Sequence, residues 1–220
     1  MAKKSKVIEL TEITVNYAKI TIVGDTDLIL HKMDAVNRQA LIDKQKGKEK
    51  KKKQGEGINQ WMQAITTLRW RDATKIDYQP EKWTEEEYYR LLEEDAPCIS
   101  GFGLKKSIGQ AVTRLGFETY STNFNASVQV VEENIPITFA KCELHEKLIP
   151  APKGSPMLTY INQFSGWGAT FTIRYIENYY SFEQILNFIK YAGFSIGIGS
   201  GRPGKASSNY GTYHIENVEG

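Results

Sequence analysis

Gly197, Gly199, Gly201, Gly204 and Gly211 surround Arg202 and Lys205. A loop of this kind can turn several backbone N–H groups toward one point. A guanidinium and an ammonium beside them suit a phosphate. Gly199-Ser200-Gly201-Arg202-Pro203-Gly204-Lys205 matches the first seven positions of the nucleotide-binding P-loop. Position eight, however, is Ala206, where a magnesium-binding hydroxyl is required. That loop, like a dinucleotide-binding loop, also needs a helix next, so that its N-terminus faces the phosphates. Tyr210-Gly211-Thr212-Tyr213-His214-Ile215 follows instead and reads as a strand. The remaining readings are a contact for a sugar–phosphate chain, through Gly199, Gly201, Arg202 and Lys205, or a plain glycine-rich hairpin.

Other cations fall in recognisable settings. Lys105, Lys106 and Arg114 lie outside the apolar face of a helical pattern. Arg69-Trp70-Arg71 places an aromatic between two cations, which can stack on a base while its neighbours hold phosphates. A buried tryptophan with exposed neighbours is the alternative. Seven lysines lie between Lys44 and Lys53, and Lys50, Lys51, Lys52 and Lys53 are consecutive. Such a run is a solvated arm that can also clamp a phosphate backbone. Catalysis has little to build on. Of three histidines, His31 ends an apolar run and is the one acid–base candidate, with packing as its default role. No spacing of His, Cys and carboxylates suits a metal, so no metal, no cofactor and no enzymatic activity are expected.

These residues need elements to hold them. Val7 to Val23 alternates as a strand does, and Leu28 to His31 is expected to continue that first sheet element. Residues 34–98 change character and read as a partly helical insertion, with the lysine-rich arm at 44–54. Within it, Trp61, Met62, Ile65 and Leu68 share a helical face, and a second helix follows Thr84, its cap. Leu104, Ile108, Ala111, Val112 and Leu115 form the face of a third helix ending at Gly116. Strands are expected at 126–131, 135–139 and 167–176, with a loop-rich stretch from Cys142 to Gln163. Ser181 and Gln184 form a capping box, and Gly193 is expected to stop that helix before a strand through Phe194, Ile196 and Ile198. Without the insertion the order is β-α-β-β-α-β. The predicted fold is therefore α+β, a ferredoxin-like, RNA-recognition-like sandwich in a single domain, 1–220. Its sheet face opposite the helices is expected to be free, the face on which RNA-recognition domains stack single strands.

Three segments carry a family resemblance. Gly24 to His31 resembles a "GxTPLLVH" segment. Gly101-Phe102-Gly103-Leu104-Lys105-Lys106 resembles a "GFKKA" helix start. Ala192 to Pro203 with Gly211 to Ile215 resembles "AGFxVGIGxWRPE…GxFxV". In this order they are similar to a family of phage and prophage proteins. Gly-Ile-Gly-Ser-Gly-Arg after a helix also resembles the C-terminal glycine-rich loop of the RAMP superfamily. Those proteins build RNA-binding backbone and processing subunits of CRISPR effector complexes. The sequence departs from the pattern at Gly201, where an aromatic is common. The resemblance implies an RNA-recognition-like fold and a nucleic-acid partner. It also brings a less favoured metal-independent ribonuclease into view, with His31 as its residue.

Composition narrows the classes. Net charge is only +2, so distribution matters more than sum. Cys98 and Cys142 are far apart and are expected to be buried thiols of a reducing compartment. No apolar run approaches membrane-spanning length and MAKKSKVIEL has no secretion-signal core, which predicts a cytoplasmic protein with no membrane partner. The sequence-based expectation is a phage-derived protein that binds single-stranded DNA or RNA and assembles along it as a homo-oligomer. The alternative is a protein-interaction module that inhibits a host defence complex.

Overall fold

The computed structural model describes residues 13–32, 42, 45–47, 59–72, 74, 83–116, 121–149, 157–206 and 208–220. The Lys50–Lys53 run lies outside them. At the centre is β1 (Asn16–Gly24), which pairs antiparallel with β9 (Gly168–Tyr175) on one side and β10 (Tyr213–Glu219) on the other. Its alternation sets the register: Ile20 faces Phe171 and Ile22 faces Ala169, all buried. β9 also pairs with β5 (Val128–Val130) and β6 (Asn134–Thr138). The order β10-β1-β9-β6 is that of a ferredoxin-like sheet, and two added strands, β4 (Pro97–Ser100) and β3 (Arg69–Trp70), extend it past β6. The fold is the expected α+β sandwich.

Two helices cover one face: α3 (Gly101–Arg114) buries Leu104, Ile108, Ala111 and Val112, and α5 (Phe182–Ser195) buries Ile185, Phe188, Ile189 and Ala192. Spacings of three and four residues put each set on a single stripe. The α5 capping box forms as the sequence predicts: Gln184 N donates to Ser181 Oγ (3.3 Å) and Ser181 N to Gln184 Oε1 (2.9 Å). Gly193, however, does not end the helix. A Cβ there would sit 2.0 Å from the Tyr213 carbonyl oxygen, so this glycine permits close packing of α5 on β10. The helix stops instead at Gly197, whose φ of 66° is left-handed. Phe194, expected in a strand, lies in the last turn of the helix and is exposed, while Ile196 and Ile198 are buried in an irregular segment.

Two further expectations are corrected. Leu28 to Leu30 does not continue β1. It forms β2 (Leu28–Leu30), which leaves the main sheet and pairs with β8 (Met157–Ser165). The stretch read as loop-rich is a long hairpin, β7 (Lys141–Ile149) with β8, paired from Lys141↔Ser165 to Ile149↔Met157. Pro150, Pro152, Gly154 and Pro156 all lie between its strands. Those four residues colour the composition of the whole stretch.

The parts of 34–98 that are described join the core. Here α1 (Gln60–Thr66) and α2 (Glu85–Glu94) lie against the three-stranded sheet β2-β8-β7 through Asn162, which is fully buried. Tyr88 Oη donates to Asn162 Oδ1 (2.6 Å), and Asn162 Nδ2 donates to Ala64 O (2.9 Å) and Thr67 Oγ1 (3.2 Å). Thr84 caps α2 as expected. Among the described residues, no helix is long and apolar enough to cross a membrane.

Candidate functional site

The segment after α5 is tied down on three sides. Ser107 Oγ of α3 donates to Gly197 O (2.8 Å), Ser200 N donates to Ile29 O of β2 (2.8 Å), and Gly211 N donates to Asp27 O (2.8 Å). Gly199 has no room for a side chain, since a Cβ would lie 2.5 Å from Ile29 O. The loop is therefore pressed onto the end of β2 and the start of α3. Among the described residues, the amides of Gly199, Gly201 and Arg202 donate to no other carbonyl.

A cavity of about 180 Å³ opens at this junction. Its cationic lining comes from four places: Lys32 after β2, Arg69 on β3, Lys106 on α3 and Arg202 in the loop. His31 and Ser200 also line it, and among the described residues none in the lining is acidic. Ser100 caps α3 through Gly103 N (3.3 Å), and both residues line the cavity, so the partial positive charge at that helix start adds to the field. Arg202 Nη1 donates to Gly199 O (3.0 Å), while its Nε is buried without a partner. Cys98 is at the wall as well. Burial, with a smaller push from Asp95, raises its thiol to about 11, so it is protonated at neutral pH and is a poor nucleophile.

Of the residues predicted from sequence, Arg69, Lys106, Gly199 and Arg202 meet at the cavity. Gly201 shapes the same loop, and its carbonyl accepts from Tyr210 N (3.3 Å). Lys205 is exposed and lies outside the lining. Lys105 sits beside Lys106 on α3, donates to Asn125 O (3.1 Å), and is held below its ordinary pKa by burial. Arg114 reaches back to the Gly204 carbonyl (3.2 Å), so it braces the loop.

The Arg-Trp-Arg pattern divides differently from the stacking arrangement. Trp70 is only 4% exposed and its Nε1 donates to Ile65 O (3.0 Å), so its ring is a packing element. Arg71 holds the buried Asp95 carboxylate (3.0 Å). Arg69 alone of the three turns to the cavity. Sequence reasoning missed Lys32 and Ser200 as lining residues. Lys32 had one signal, its place at the end of the apolar run 28–30.

The sheet face opposite the helices offers little for stacking. Tyr17, Lys19 and Arg174 are exposed there, but its centre holds Thr21 and Thr170, hydrogen-bonded to each other (3.0 Å). The two cysteines are free and buried, and no group of His, Cys, Asp and Glu among the described residues could hold a metal.

No family model matches the chain, and no curated protein is similar to it. Among solved structures, the chain is similar to one chain of the Type III-B Cmr-beta bound to cognate target RNA. The identity is 11%, the TM-score 0.48, and the match covers 93% of this chain and 60% of that one. It is also similar to Cmr6 from Pyrococcus furiosus, at 11% identity and a TM-score of 0.34, covering 93% of this chain and 100% of that one. This chain thus spans less than two thirds of the first. The strand order described above, rather than either likeness, fixes the fold.

Proposed function

We propose that the chain binds single-stranded nucleic acid, with the sugar–phosphate backbone passing over the cavity between the glycine-rich loop and the start of α3. The observation that carries this reading is the convergence of Lys32, Arg69, Lys106 and Arg202 on one cavity. The volume supports a chain rather than a cofactor. Pockets for small organic ligands run from about 300 to about 1,000 Å³, and this one is about 180 Å³. It admits successive phosphate groups of the backbone, one to each lining cation, and leaves sugar and base outside. Binding without cleavage is the simpler role, because among the described residues the lining offers His31 but no carboxylate or second imidazole to share acid–base work.

Several copies assembled along one strand would suit phage replication, recombination or counter-defence, the setting that the motif resemblance implies. The test is fluorescence anisotropy with labelled single-stranded DNA and RNA at low salt, in EDTA, followed by a denaturing gel. Saturable binding with intact strands is expected. No binding of either strand at low salt refutes the proposal, and shortened RNA refutes the non-catalytic role.

A further inference from the structure

A second groove runs along α3 next to the cationic cavity. Its volume is about 450 Å³, and Lys106 lines both. Phe102, Lys105, Lys106, Gln110 and Thr113 follow one another at spacings of three, one, four and three, which puts them on one stripe of the helix. Asn125 of α4 (Ser121–Ser127) forms the far wall. Two features stand out. The Phe102 ring is 75% exposed on the first turn of α3, although a phenyl in water gains nothing from the fold. Gln110 Oε1 is buried without a hydrogen-bond partner, which is costly unless a ligand supplies a donor.

We infer that Phe102 is a base-stacking platform at one end of a groove that Gln110, about two turns further along α3, also lines. This rests on the nucleic-acid reading above and deepens it. The two cavities divide a nucleotide between them: phosphate over Lys106 and Arg202, base over Phe102. The groove, at about 450 Å³, has room for a base. Lys105, held across the groove by Asn125 O (3.1 Å), closes one side and leaves the ring face open. Every base has a π-face, so stacking here is sequence-tolerant. The site does not use the sheet face on which RNA-recognition domains stack bases.

The test is a two-by-two comparison on the full chain. Wild type and Phe102→Ala are titrated with a labelled single-stranded oligonucleotide and with an abasic strand of the same length. Wild type should prefer the base-bearing strand. Phe102→Ala should lose about ten-fold in affinity for it and nothing on the abasic strand. Phe102→Trp should restore the loss. Melting temperature should not change, because the ring is exposed. An equal loss on both strands, or no loss on either, overturns the stacking role while leaving the nucleic-acid reading in place. Failure of the wild type to bind both strands overturns both.

Discussion

The cationic cavity makes a numerical prediction about salt. Four Lys or Arg side chains line it: Lys32, Arg69, Lys106 and Arg202. Each phosphate neutralised on a single strand contributes about −0.7 to the slope of log affinity against log salt. Four contacts give about −2.8, so raising salt from about 50 mM to about 200 mM should weaken binding about fifty-fold. Lys106→Gln is the cleanest perturbation, because the side chain is exposed and the fold does not depend on it. With three contacts the slope becomes about −2.1 and the same salt step costs about twenty-fold. Lys190→Gln is the control. Lys190 is exposed on α5 and lines neither cavity, and charges beyond about 10 Å are largely screened at such salt. The assay is anisotropy with a single-stranded oligonucleotide at four or more salt concentrations. A flat wild-type slope, or equal slopes for Lys106→Gln and Lys190→Gln, refutes the assignment of this cavity.

Two further predictions concern the scaffold. Asn162→Ala leaves Ala64 O without its donor and removes the acceptor of Tyr88 Oη in a fully buried setting. The expected loss is about 2 kcal/mol, or about 4–8 °C in melting temperature, and an unchanged melt would show that the network contributes nothing. Burial raises both thiols from 9.0 to about 11, with Asp95 adding to the push on Cys98 and Glu143 to that on Cys142, so both should resist iodoacetamide at neutral pH until urea unfolds the chain. The sign follows from the raised folded-state values: the thiols' contribution to stability is intact below their ordinary value and is lost as pH rises toward about 11. A urea midpoint lower at about pH 10 than at about pH 8, with a smaller drop in the doubly Ser-substituted chain, is the expected result.

The sequence made some of this legible because local chemistry and tertiary structure agree. The α5 capping box, the Thr84 cap and the apolar stripe of α3 through Leu104, Ile108, Ala111 and Val112 are short-range patterns, and each formed where the spacing put it, while Leu115, expected on that stripe, is exposed at the helix end. Gly193 misled for a physical reason. Its lack of a side chain serves packing on β10, and from sequence a packing glycine and a helix-stopping glycine look alike. The β7–β8 hairpin was hidden because four turn residues gathered between its strands, while its pairing is a long-range property. At the site, Arg202 and Lys106 were readable as exposed cations beside glycines. Lys32 and Arg69 become neighbours of that loop only once β2 has crossed to the second sheet and β3 has paired at Arg69↔Cys98.

That dependence explains why the added elements matter to function as well as to fold. The ferredoxin-like core alone supplies Lys106 and Arg202. Lys32 and Arg69 arrive on β2 and β3, and the joints that bring them in are backbone hydrogen bonds, Ser200 N to Ile29 O and Lys32 N to Thr67 O, both 2.8 Å. Like charges brought together around one small cavity repel, and the fold must hold them there against that repulsion. A polyanion laid across the cavity turns the same field from a cost into an attraction. The added strands thus double the number of cations that face the loop, and with it the predicted salt slope, which is the quantity the titration reads.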